Sequence, residues 1–205
     1  MAHYFENDES LKSDIKEVKV YINNQPYTFV TDNGIFSKKG LDFGTRTLLE
    51  NIDVEKISGN VLDFGCGYGA IGIYFAKNTN ANVHMIDINK RSLKLAQKNA
   101  DINHVNVKIY ESNIYENVTD KFDYIITNPP IRVGKKILYE ILFNAKNILN
   151  HNGELLLVIN KDQGAKPLMK DLEKEYKVEL ITKNKGFYII RAINNWHIAI
   201  TLLKL

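Results

Sequence analysis

One cysteine, Cys66, in a 205-residue chain excludes an internal disulfide framework. The five histidines are scattered without the spacing of a metal site, so no metal is expected. No apolar run approaches the ~20 residues of a membrane helix, and the opening MAHYFENDESLKSD lacks the basic-then-apolar order of a secretory leader. A cytoplasmic protein without membrane contact is expected. Excess charge is missing as well: 27 Lys+Arg against 24 Asp+Glu leave a net +3, far from a protein that coats nucleic acid without selectivity. The cations that cluster are Lys38 with Lys39, Arg132 with Lys135 and Lys136, and Lys183 with Lys185, each beside a loop where a phosphate could be met.

What is present, 44% hydrophobic and 25% charged residues, suits one α/β domain over 1–205 that buries its core without staples. Residues 1–33 read as a polar tail and a hairpin, with VKVYINN and PYTFVTD alternating around an Asn-Asn-Gln turn. Residues 34–205 read as the core unit. A glycine-punctuated loop runs into a helix that starts near Leu41 to Phe43, with Leu48, Leu49 and Ile52 on its apolar face. VLDF, ANVHMIDI, VKIYESN, FDYIITN and GELLLVIN are strands; AIGIYFAKN, RSLKLAQKNADIN, GKKILYEILFNAKNIL and AKPLMKDLEKEY are helices, the third with Ile137, Ile141 and Leu142 inward. VELITKN, GFYIIRA and WHIAITLL supply closing strands. Such alternation forces right-handed crossovers and a doubly wound, mostly parallel sheet.

Asp63-Phe64-Gly65-Cys66-Gly67-Tyr68-Gly69 follows a predicted strand and opens a helix, where sheets of this kind place ligands. Its glycines let backbone approach a ligand closely. The spacing differs from the dinucleotide fingerprint, and Asp63 ahead of the first glycine is unwelcome to a pyrophosphate but suits a cation. Asp87, at the end of the next strand, can accept both hydroxyls of a ribose, and Asn113 after the third can meet an adenine edge. Together these residues resemble the class I S-adenosylmethionine-dependent methyltransferases, over about residues 30–192. The resemblance implies a seven-stranded Rossmann-like sheet with a reversed final hairpin. It also implies a methionine site at Asp63, Gly65 and Gly67 with Cys66 between them, a ribose site at Asp87 with Ile88, and an adenine neighbour at Asn113.

Asn128-Pro129-Pro130-Ile131 follows FDYIIT and so lands on the same sheet edge as the glycine loop. Two prolines fix the backbone and remove amide donors, leaving the Asn128 side chain and the Pro129 carbonyl as acceptors. Acceptors of this kind suit an N–H donor, and an amine conjugated to an aromatic ring becomes nucleophilic when its N–H groups are held in that way. Among methyltransferases, Asn-Pro-Pro before an aromatic residue marks enzymes acting on planar amines of adenine, guanine, cytosine or glutamine. Ile131 departs from that pattern, since it cannot stack on a base; Tyr68, Phe187 and Tyr188 are the alternative rings.

Gly34 to Ser37 with Leu41 to Thr45, Arg132 to Lys135, and Gln163-Gly164-Ala165 resemble the small-subunit ribosomal RNA guanine-N2 methyltransferases, specifically their catalytic half and its single-domain relatives. The resemblance implies S-adenosylmethionine as cofactor and ribosomal RNA or the small ribosomal subunit as partner. It implies cofactor contacts from Asp42, Gly44 and Thr45, and substrate contacts from Phe36, Ile131, Arg132 and Lys135. A homodimer or a ribosomal protein could supply the docking surface that a second domain gives the larger enzymes. Methylation of a protein glutamine, of adenine N6 or of a small amine shares the same donor geometry, and a silent RNA-binding module is the non-enzymatic alternative.

Overall fold

The computed structural model describes residues 14–32 and 40–195. The Phe36 loop with Lys38 and Lys39, the N-terminal tail and the expected WHIAITLL strand lie outside the described residues.

Strands β1 (Lys16–Ile22) and β2 (Gln25–Thr31) form an antiparallel hairpin in which Ile22 pairs with Gln25. The turn is therefore Asn23-Asn24 alone, with φ of 48° and 62°, a left-handed pair that asparagine tolerates better than most side chains. Helix α1 (Phe43–Asn51) follows, capped by the Asp42 carboxylate on the Thr45 N–H. The chain then alternates through β3 (Asn60–Phe64), α2 (Ala70–Asn78), β4 (Asn82–Asp87), α3 (Lys90–Ile102), β5 (Lys108–Glu111), β6 (Phe122–Thr127), α4 (Lys135–Asn144), β7 (Leu149–Asn160) and α5 (Ala165–Leu172). It closes with the hairpin β8 (Lys177–Asn184) and β9 (Phe187–Ile193).

The main sheet has seven strands in the order β5-β4-β3-β6-β7-β9-β8, with β9 antiparallel to both β7 and β8. This is the doubly wound, mostly parallel α/β sheet with a reversed last hairpin that the sequence implies. Its order reverses between β3 and β6, where open sheets of this type form their crevice. Side chains of β7 alternate between the faces: Leu156 and Val158 join the cluster under the hairpin, α2 and α3, while Leu155, Leu157 and Ile159 join the one under α4 and α5.

One helix face differs from expectation. Ile137 is 40% exposed, and the inward residues of α4 are Leu138, Ile141, Leu142 and then Ala145. Those positions recur at three- and four-residue steps, whereas residue 137 sits about 100° round the axis from 138.

The β1–β2 hairpin is held by two asparagines one turn apart, Asn99 in α3 and Asn103 at its C-cap. Asn99 accepts from the Val30 N–H at 2.6 Å and donates to the Val30 carbonyl at 2.9 Å and the Tyr68 carbonyl at 2.8 Å. Asn103 makes the same double contact with Thr28. Their amides occupy the outer edge of β2 where another strand would pair. Asn99 is fully buried, so Asn99→Ala strands three backbone groups and is expected to cost about 2–4 kcal/mol, read as a lower urea midpoint with little change in slope.

Candidate active site

The carboxyl ends of β3, β4, β5 and β6 share one sheet edge, and the sequence motifs converge there. β3 turns through Gly65 and Gly67 at φ of 68° and 56°, a backbone that L side chains rarely adopt. A Cβ built at either glycine meets nothing within 4 Å, so both face open space. Gly72 is the opposite case: a Cβ there falls 2.3 Å from Met85 Sδ, which shows how closely α2 lies on β4. The Cys66 N–H donates to the Ile86 carbonyl at 2.9 Å and pins the loop to β4, while burial pushes the Cys66 thiol well above its ordinary range.

Asp63 lies beneath this loop at zero exposure. Oδ2 accepts from the Gly72 N–H at 2.8 Å, while Oδ1 is buried and has no hydrogen-bond partner among the described residues. Burial lifts its pKa to about 7, against the lowering effect of the Gly72 hydrogen bond. Asp87 faces the loop from β4, its Oδ2 accepting from the Gly67 N–H and its Oδ1 from the Asn89 N–H, each at 2.9 Å. Burial raises this carboxyl too, opposed by its backbone hydrogen bonds. Ile88 is half-buried beside it. Asn113 is exposed after β5 and donates to Glu116 at 3.0 Å.

On the other side of the crevice, Thr127 ties β6 to β3 by donating to the Phe64 carbonyl at 2.9 Å. Asn128 comes next, half-buried, with Pro129 buried behind it. Asn128 Nδ2 donates to Thr45 Oγ1 at 2.9 Å and to Asp42 Oδ1 at 3.3 Å. A carboxylate can only accept, so Asp42 determines which end of the Asn128 amide faces α1, and Oδ1 of Asn128 is turned away from that helix. Asp42 and Thr45, implied by the resemblance to be cofactor contacts, engage the helix cap and Asn128 through Asp42 Oδ1 and Thr45 Oγ1. Gly44 is packed under the Phe187 ring.

Ile131, half-buried in the short 3₁₀ turn Ile131–Val133, packs against the α4–α5 core cluster. Arg132, Lys135 and Lys136 are exposed around the start of α4, and the Lys135 ammonium stands 4.9 Å from the Tyr139 ring centroid. Of the three rings named from the sequence, Tyr68 and Tyr188 are buried at 5% and 4%, and only Phe187 stays near the surface. Phe43, which the sequence reading did not single out, stands on the same edge. It is 36% exposed and lies 5.6 Å from Phe187 between ring centroids. The available signal was its place directly after the cap residue Asp42.

The methyltransferase small-domain family matches residues 26–191. YbxB of Bacillus subtilis is 41% identical over 195 residues, covering 93% of this chain and 97% of that protein. Ribosomal RNA small subunit methyltransferase C of Haemophilus influenzae is 39% identical over 163 residues, 77% of this chain but 49% of the enzyme. The Thermus thermophilus 16S rRNA N2 G1207 methyltransferase (RsmC), solved with AdoMet and guanosine, superposes with a TM-score of 0.80 at 27% identity, over 90% of this chain and 52% of that one. The chain therefore spans nearly all of YbxB and about half the length of the ribosomal RNA enzymes. It belongs to the methyltransferase small-domain family and is an S-adenosylmethionine-dependent methyltransferase. Among the described residues no helix is long and apolar enough to cross a membrane.

Because the fold raises the Asp63 pKa, the native protein keeps a proton that the unfolded chain releases between its ordinary 3.8 and about 7. Stability without ligand is expected to fall as pH climbs through that window and to level off above it. Asp63→Asn removes the charge, so the variant should be the more stable protein at pH 8, by up to about 4 kcal/mol at about 1.4 kcal/mol per pKa unit, and should match the parent near pH 3.5. Urea titrations across this range measure it.

Proposed function

We propose that the chain methylates an exocyclic amine of an RNA base, guanine N2 in small-subunit ribosomal RNA, with Asn128-Pro129-Pro130 as the catalytic segment. The observation that carries this reading is the Asp42–Thr45 hold on the Asn128 amide, which turns an acceptor oxygen away from α1 at the carboxyl edge of β6. The names of the ribosomal RNA relatives support the choice of base and of RNA.

The residues on the β3–β4–β5 side suit the cofactor. Open space at Gly65 and Gly67 gives room against the backbone, and the orphaned Asp63 Oδ1 beneath the loop favours a cationic group nearby. Asp87 and Ile88 would hold the ribose, Asn113 the adenine edge, and Cys66 the loop itself. Bound S-adenosylmethionine supplies an electrophilic methyl group on a sulfonium.

The remaining work falls to the chain. Asn128 Oδ1 and the Pro129 carbonyl accept the two N–H groups of the amine and draw its nitrogen lone pair out of conjugation with the ring. Both prolines lack N–H groups, so no backbone donor from them competes for those oxygens. The proton can leave to water after transfer, so no strong base has to be placed in the pocket. Arg132, Lys135 and Lys136 would meet phosphates on either side of an extruded base.

The test is methyl transfer from labelled S-adenosylmethionine to small ribosomal subunits from cells lacking the protein, followed by nucleoside mass analysis. N2-methylguanosine is the expected product; label on glutamine in the protein fraction would replace this reading with amide methylation. Asn128→Ala should lower kcat about a hundredfold or more with cofactor affinity retained, whereas Asp87→Ala should lose that affinity, as titration calorimetry would record.

A further inference from the structure

Ile131 packs into the core and offers no flat face to a base, yet a ring pair stands on the same edge of the sheet. β9 runs antiparallel to β7, with Phe187 opposite Asn160, the last residue of β7. The turn at Lys185-Gly186 therefore lies on the edge that carries Asn128, two strands from β6. Phe187 lies on Gly44 so closely that a Cβ at that glycine would come within 2.9 Å of Phe187 Cε1. Gly44 separates Phe43 from Thr45, and Thr45 is the residue that holds Asn128. The rings of Phe43 and Phe187 meet at 52°, so they form a corner rather than a closed stack.

Two further features point to the occupant. A phenylalanine that leaves 36% of its surface in water at the first position of a helix does little for that helix, since capping comes from Asp42. The Lys185 ammonium stands 5.3 Å from the Phe43 ring centroid, and Lys183 stands 5.1 Å from that of Tyr188. Neither lysine is paired with a carboxylate among the described residues. A partly exposed Phe43 ring beside the Lys185 ammonium is the combination that single-stranded nucleic acid uses, with bases stacking and phosphates meeting the charges.

We propose that Phe43, Phe187 and Lys185 form a subsite for one nucleobase of the RNA strand beside Asn128, with the base against the Phe43 ring and its phosphate on Lys185. The subsite rests on the reading of RNA as substrate and supplies the stacking contact that Ile131 does not. It also divides the edge: cofactor groups lie above β3, β4 and β5, and RNA contacts above β6, β7, β9 and β8.

The experiment compares the parent with Phe43→Leu, Phe43→Trp and Lys185→Ala in methyl transfer to undermethylated small subunits, with S-adenosylmethionine affinity measured alongside. Leucine keeps the apolar volume but not the π face. Phe43→Leu should raise KM for the subunits about tenfold or more at unchanged cofactor affinity, and Phe43→Trp should restore it. Lys185→Ala should raise KM and flatten its dependence on salt. Labelled RNA with a parental KM in Phe43→Leu overturns the subsite alone, as does a tryptophan variant no better than leucine. Unlabelled RNA with the parent protein, at normal cofactor affinity, instead overturns the RNA reading and the subsite with it.

Discussion

The Asp42 carboxylate performs two tasks with one oxygen: it caps α1 through the Thr45 N–H and receives the Asn128 amide. The helix start and the end of β6 are thereby fixed to each other, and the Asn128 rotamer becomes a property of the fold instead of a choice made when substrate arrives. Much of the edge follows from that junction. Gly44 must stay small because the Phe187 ring lies on it, which brings the β8–β9 hairpin over α1. On the opposite flank, the Thr127 hydroxyl joins β6 to β3, so the strand ends that carry the two motif loops are tied together.

That edge carries a cost. Asp63 sits at zero exposure with one oxygen unpartnered among the described residues, an arrangement that burial penalises whenever the carboxyl is ionised. Gly65 and Gly67 add backbone freedom in the unfolded chain that folding must remove. The junction between α3 and the hairpin shows the reverse: Asn99 and Asn103 hydrogen-bond the backbone groups of Thr28 and Val30, and both core clusters are continuous. Stability is concentrated on the faces of the sheet and is given up at the crevice, where a ligand can restore it.

Most of the strand and helix order was legible in the sequence because it depends on local periodicity, and the glycine and Asn-Pro-Pro loops because they are contiguous motifs next to strand ends. Ile137 was misplaced because Ile137 with Ile141 and Leu138 with Ile141 and Leu142 both fit three- to four-residue steps, and only the packing of α4 on the sheet selects the second set. The finer geometry of the candidate site was not legible at all. Asp42 and Asn128 are 86 residues apart and meet only through the crossover of the whole sheet. Phe43 and Phe187 meet through the reversed hairpin, which no local pattern reports.

The asparagine amides on the edge of β2 also bear on how the protein behaves among copies of itself. A two-stranded ribbon with Tyr21 exposed at 64% has the makings of a template for strand addition. At Thr28 and Val30 the donors and acceptors along that rim are already taken by Asn103 and Asn99, so this rim has nothing at those positions to offer a passing chain. The same side chains that dock the ribbon therefore act as a safeguard against misassembly in a crowded cell.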